Sequence, residues 1–300
     1  MNGHRIVALI NEAYENEPND RHPWPITPSQ FGHCQRELAL KLAGRESTPI
    51  RAESLRVFEL GHQRGARLHE VLDGALGTEW SVLTEKRVLV PLPITGEEAT
   101  DIKVMADGLF GAKGSPVHVD RDTLCLSGSL DTLIWREDRT RAIIVDWKTT
   151  SSFGFGKLDK DGPDDGYCVQ IHAYRKALLW ENFIGTAPDC YLIFEAKDGD
   201  ARKGHVGGQL KAVEVPNDER TELLYRQAID GIVEVLRSWM RGEAELVKEP
   251  FTIGGVSGKA KALPWQCNYC PIGPVSGGCF GAVEDRGTPK RARYYVADQA

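Results

Sequence analysis

The sequence predicts an α/β fold of the mixed, α+β kind, and three observations carry that reading. The stretch Ala142–Lys148, AIIVDWK, is apolar at every position up to Val145 before it meets an acid and a lysine, the pattern of a strand covered on both faces. Leu124–Trp135, LCLSGSLDTLIW, precedes it across the polar turn REDRTR, which predicts a hairpin. Helical stretches alternate with the strands, the longest being Glu219–Arg241, whose Leu224, Ile229, Ile232, Val233 and Leu236 suit packing on a core.

Taken in order, the chain opens with a short helix, Ile6–Glu15, and a proline-rich connection. Ser29 is placed to cap a second helix that contains Cys34 and stops at Gly44. Leu55–Leu76 reads as a helix carrying Gly61, Gly65 and His69 at four-residue intervals. Two glycines inside a helix cost about 1 kcal/mol each against alanine, so close packing on a sheet is expected there. Ser81–Val90 reads as a strand, Pro91–Pro116 as a turn-rich insertion, and residues 149–166 as a long glycine-rich loop that moves. A helix Tyr167–Asn182 and strands Cys190–Ala196 and Gln209–Val215 follow.

Composition excludes several classes. Of 300 residues, 41% are hydrophobic and 27% charged, an ordinary globular balance. No run approaches the roughly 20 apolar residues of a membrane span, and the amino terminus lacks a secretion signal, which predicts a cytoplasmic protein. A net charge of −6 argues against non-specific nucleic-acid binding by the whole surface and leaves room for a local basic groove. GGVSGKA at Gly254–Ala260 is not a phosphate loop, because Ile253 and Ala260 stand where a glycine and a hydroxyl are needed.

The residues that bear chemistry fall at the hairpin and near the end of the chain. Strand side chains alternate, so Asp146 and Lys148 share a face while Trp147 points away, and the hairpin brings Asp131 to Asp146. An acid among Leu130, Leu133 and Ile134 must meet a cation, a metal or solvent. By itself an Asp-x-Lys pair is more often a solvated ion pair. Cys267 and Cys270 form Cys-x-x-Cys, and Cys279 follows in a loop rich in glycine and proline. Three such thiols are a metal signature that needs a fourth ligand, for which Cys34 is the best candidate. Cys125, Cys168 and Cys190 read as core thiols. The irregular spacing favours an iron-sulfur cluster over zinc.

In this order the motifs Gly65-x-x-x-His69, Gly128-x-x-Asp131, Asp146-x-Lys148 and Gln170-x-x-x-Tyr174, bracketed by Cys34 and by Cys267, Cys270 and Cys279, resemble the RecB-like branch of the PD-(D/E)XK nucleases. Within it the cysteine frame resembles the iron-sulfur nucleases of the CRISPR-associated Cas-four type. The resemblance spans about residues 30–282. It departs from the common Glu-x-Lys at Asp146 and leaves the 91–116 stretch and the basic tail unexplained.

The resemblance implies a restriction-endonuclease-like core, with a mixed central sheet flanked by helices, and an iron-sulfur lobe made by the two ends of the chain. The expected organisation is a helical segment at 1–54, the nuclease core at 55–250, the cysteine loop at 251–283 and a basic tail at 284–300. It implies metal-dependent hydrolysis of DNA phosphodiesters, chiefly as an exonuclease on single-stranded ends. Asp131, Asp146 and the Trp147 carbonyl would ligate Mg²⁺ or Mn²⁺, and His69 tilts the choice towards Mn²⁺. Lys148 stays protonated to stabilise charge and orient water, while Gln170 and Tyr174 position the lysine or the DNA backbone. Cys34, Cys267, Cys270 and Cys279 would hold the cluster, [4Fe–4S] in preference to [2Fe–2S]. Single-strand channels pair cations with aromatic platforms, for which Trp24, Phe153, Phe155, Trp265 and Tyr269 are candidates. The implied partners are DNA and proteins of recombination, replication or CRISPR adaptation. The competing readings are a non-catalytic DNA-binding module that keeps the cluster and a zinc-stapled protein of another function.

Overall fold

A computed structural model describes residues 5, 11–13, 24–45, 52–111, 115–199, 206–244, 270, 272, 283–285 and 294–296. Its strands are β1 (Trp80–Thr95), β2 (Val117–Asp120), β3 (Thr123–Arg136), β4 (Ala142–Thr150), β5 (Asp189–Ala196) and β6 (Leu210–Glu214). They form one sheet in the order β1-β3-β4-β5-β6, with β2 also paired to β3. Only β4 and β5 run parallel, so the sheet is mixed. The helices are α1 (Gln35–Leu42), α2 (Ala52–Ala75), α3 (Gly96–Phe110), α4 (Ser152–Asp161), α5 (Asp165–Trp180) and α6 (Glu219–Met240). Two short strands, β7 (Val283–Asp285) and β8 (Tyr294–Val296), pair near the end of the chain. Among the described residues no helix is long and apolar enough to cross a membrane.

The apolar run of β4 is central as its pattern requires, with Ala142, Ile144 and Val145 buried between β3 and β5. The parallel step from β4 to β5 needs a crossover, which α4 and α5 supply. Helix α5 starts where Asp164 accepts a hydrogen bond from the Gly166 amide, and it buries Val169, Ile171, Ala173, Ala177 and Leu178. Helix α6, capped by Asp218 on the Thr221 amide, buries Ile229, Ile232, Val235 and Leu236. Each such side chain contributes about 1.5–3 kcal/mol on leaving water.

A buried polar latch joins these layers. Arg175 of α5 is 2% exposed and donates to the carbonyls of Pro188, Val215 and Pro216 and to His172 Nδ1. Because Nδ1 accepts, the His172 proton sits on Nε2 and is donated to Glu222 at 3.1 Å. Burial lowers the His172 pKa to about 4, against the Glu222 hydrogen bond that raises it, so the ring is neutral.

Three expectations are corrected. The 91–116 stretch is not an insertion of turns: β1 runs on to Thr95, and α3 buries Ala99, Ile102 and Ala106. Pro91 and Pro93 are tolerated because β1 lies at the end of the sheet order and its register shifts there. Gly96, at φ +67°, supplies the left-handed turn into α3. Residues 149–166 are not a loop but the end of β4 followed by α4. Ser151 caps α4 through the Gly154 amide, Phe155 is buried, and Asp198 accepts from the Ser152 amide at 2.7 Å. Cys34 lies not within a helix but at the N-cap of α1, and Ser29 lies in a separate 3-10 turn, Pro28–Gln30. The chain between them passes Gly32 against Gly166 too closely for a Cβ at position 32. The helix expected at Ile6–Glu15 falls largely outside the described residues.

Candidate active site

The hairpin of β3 and β4 is paired from Trp135 opposite Ala142 to Thr132 opposite Val145. Beyond that point the Trp147 amide is donated not to a β3 carbonyl but to Asp131 Oδ2, at 2.9 Å. Asp131 thus stands in the gap between the strands beside Asp146. Burial raises its pKa, against the Trp147 amide and Lys148, which lower it.

Asp146 is 1% exposed. Its partner is the Lys148 ammonium, 2.6 Å from Oδ2 as an ion pair, and Oδ1 receives no donor among the described residues. Burial pushes the carboxyl up to about 6 although Lys148 pulls it down. For Lys148 the balance is reversed: burial lowers its pKa, but Asp146 and Asp131 outweigh it and the net shift is upward. The lysine is therefore a cation.

Helix α5 holds the lysine from the other side. Gln170 Oε1 accepts from Lys148 Nζ at 3.2 Å, and Gln170 Nε2 donates to the Tyr174 hydroxyl at 3.4 Å. Tyr174 is 2% exposed, so its hydroxyl meets Gln170 inside the protein. A Cβ at Gly128 would meet Tyr174 at 2.9 Å and Pro28 at 2.8 Å, which explains a glycine three residues before Asp131.

Trp147 points the opposite way, as strand alternation requires, and meets His69 of α2 edge-on at 5.9 Å between ring centroids. His69 is buried, 2.7 Å from Thr132 Oγ1 through Nδ1. Burial lowers its pKa, with Asp131 opposing. The expected close packing of the glycine stripe is not observed at Gly65, where a Cβ would meet nothing within 4 Å. Gly61 and Gly65 instead line a cleft of about 1010 Å³, together with His69, Asp131, Trp147 and Lys148.

Two residues of the cleft, Glu85 and Tyr167, and one wholly buried beside it, Thr132, carry no motif in the sequence. Glu85 of β1 has φ +49°, rare for a residue with a side chain, and accepts from Ser129 Oγ at 2.7 Å; nothing in the polar run around it signals this. Tyr167 places its ring 4.8 Å from Lys148 Nζ, and its position three residues before Gln170 was a legible helical spacing. Thr132 is wholly buried in β3 and belongs to no motif.

Of the expected cluster ligands, Cys267 and Cys279 lie outside the described residues. Cys270 Sγ lies 3.7 Å from Glu37 Oε2, one turn along the helix that Cys34 caps. Cys125, Cys168 and Cys190 are buried free thiols, as expected, and burial raises all three.

The donor set at the hairpin fits a divalent cation, since a buried carboxylate oxygen without a donor and a second carboxylate beside it are hard ligands. Among the described residues no three His, Cys, Asp or Glu side chains stand close enough to form a ready cage. Asp131 is turned to the Trp147 amide and Asp146 to Lys148, so closing such a cage requires these two carboxylates to turn.

A mixed sheet whose central hairpin presents Asp131 and Lys148 to a cleft, with Asp146 buried behind them, defines a class of metal-dependent phosphodiesterases. A family model for the PD-(D/E)XK nuclease superfamily matches residues 14–275, and the chain belongs to that superfamily. Its members are generally divalent-metal-dependent nucleases, using Mg²⁺ or Mn²⁺. A solved structure described as the crystal structure of SSO0001 aligns over 89% of this chain and 94% of that chain, at 16% identity and a TM-score of 0.42. No curated protein matches the sequence.

Proposed function

We propose that this nuclease is an exonuclease acting on single-stranded DNA ends, with Asp131, Asp146, the Trp147 carbonyl and His69 as the ligands of its catalytic cation. The observation that carries the reading is the Asp146 carboxylate, buried with an oxygen that receives no donor among the described residues. A divalent cation bound there supplies the charge that polarises the scissile phosphate and activates the attacking water. Lys148, kept protonated by the two acids, stabilises charge on the phosphate and orients the water. Gln170 fixes the lysine, and Tyr174 fixes Gln170. A cleft walled on one side by glycines admits a backbone closely, and Tyr167 and Phe153, both exposed, are suited to stack unpaired bases.

Cys34, Cys267, Cys270 and Cys279 are assigned to a structural iron-sulfur cluster, [4Fe–4S] in preference to [2Fe–2S]. The contact of Cys270 with Glu37 supports this, because it sets Cys270 one helical turn from the N-cap residue Cys34. Such a cluster would tie the ends of the chain across the core. The reading fits a role with recombination, replication or CRISPR adaptation proteins.

The test is a time course on single-stranded DNA labelled at either end, with anaerobically purified protein in Mn²⁺, Mg²⁺ or chelator. Metal-dependent loss from one end supports the proposal and gives its polarity; intact DNA in every lane contradicts it. A brown protein with charge-transfer absorbance that cysteine substitution removes supports the cluster, and a colourless protein loaded with zinc contradicts it.

A further inference from the structure

Helix α2 forms one wall of the cleft, yet it is held to the rest of the protein at few points. Between Glu59 and Ala75 the only buried residue is His69, and Leu60 and Val71 are more than half exposed. Apolar packing of this stretch is thus limited to the half-buried Leu68 and Leu72. Arg64 pairs with Glu195 of β5 at 2.9 Å, an exposed contact of small net value. Among the described residues, the buried contacts of this stretch run through His69, to Thr132 and to the edge of Trp147.

Thr132 is wholly buried, and its hydroxyl serves two partners. Trp147 Nε1 lies 2.9 Å away, and an indole N–H only donates, so Oγ1 accepts from it. The other valence of the hydroxyl meets His69, nearer Nδ1 at 2.7 Å than Nε2 at 3.3 Å. One oxygen therefore joins α2, β3 and β4 beside the two acids. A valine has the same shape and could make neither bond.

Resting on the functional reading above, we propose that Thr132 is a positioning residue: its hydroxyl holds His69, and through it the α2 wall, in register with Asp131 and Asp146. The preceding residue in the chain, Asp131, is a proposed ligand, so one dipeptide serves both the cation and the group that orients its imidazole. Outer-shell partners of metal-binding histidines are typically worth 10–100-fold in metal affinity or activity.

The experiment compares wild type, Thr132→Val and Thr132→Ser. Mn²⁺ affinity is read by paramagnetic resonance of the free ion, α2 order by hydrogen exchange, and kcat and KM on single-stranded DNA. Thr132→Val is expected to weaken Mn²⁺ binding about 10–100-fold, to speed exchange in α2, and to lower kcat with KM nearly unchanged. Thr132→Ser is expected to restore all three to within a few-fold. Unchanged Mn²⁺ affinity in Thr132→Val, or a serine variant no better than the valine one, overturns the proposal. Should the valine variant not fold, Thr132→Cys keeps the volume with only weak hydrogen bonding, and the same comparison decides. Wild-type protein that takes up no Mn²⁺ overturns the functional reading and this inference together, whereas full metal binding in the valine variant overturns this inference alone.

Discussion

Two buried charges, Arg175 and Asp146, are treated in opposite ways. The Arg175 guanidinium spends its donors on three backbone carbonyls and a neutral histidine, and its geometry asks for nothing more. Asp146 is as deeply buried but among the described residues meets a single cation, and there Oδ1 has no donor. Both cost desolvation. The first recovers it within the fold, closing α5 onto the ends of β5 and β6. The second leaves it unrecovered, and that deficit is what a divalent cation can offset. On the proposed function, satisfaction of hydrogen-bonding capacity separates the structural charge from the metal-binding one.

The sharpest break of this comparison is Arg175→Met, which keeps much of the volume but strands three carbonyls. A loss of about 3–5 kcal/mol is expected in urea denaturation, enough to unfold a marginal protein. Lys148→Ala should do the reverse: cleavage falls about 10²–10³-fold while DNA binding, read by anisotropy, persists. Unchanged cleavage would remove Lys148 from the reaction.

A third expectation concerns pH. Burial holds the Asp146 carboxyl up at about 6, and only the deprotonated form ligates a cation. Mn²⁺ affinity should therefore be full above that value and fall as pH drops through it, by about tenfold per unit below. Affinity flat down to pH 4.5 would contradict this assignment. The smallest effect belongs to the exposed pair of Arg237 with Glu98, 2.6 Å apart across α6 and α3. Glu98→Gln should cost less than about 1 kcal/mol in the same denaturation and leave cleavage unchanged.

The strands and helices around the hairpin were legible because periodicity and burial agree there. β4 is apolar where both faces are covered, and α6 is amphipathic where one is. The acids, the lysine, Gln170 and Tyr174 were legible as spacings on those elements. What misled was local chemistry overridden by context. Two prolines hid the last part of a strand at the edge of the sheet, and glycines disguised α4, which is held by Ser151, Phe155 and Asp198. The glycines of α2 promised close packing but border open space at Gly65. Glu85 and Thr132 carried no sequence signal, since a left-handed φ and a shared hydroxyl arise only when three elements meet. Cys267 and Cys279 lie outside the described residues, so the cysteine frame rests on Cys34 and on the contact of Cys270 with Glu37.

The most direct measurement is Mn²⁺ binding by wild-type protein and by Asp146→Asn at neutral pH, read by paramagnetic resonance without DNA. The account expects the wild type to bind and the asparagine variant, which removes the unsatisfied charge while keeping the shape, to lose at least tenfold in affinity. Equal affinity in the two proteins would contradict it, leaving Asp146 a buried partner of Lys148 and nothing more.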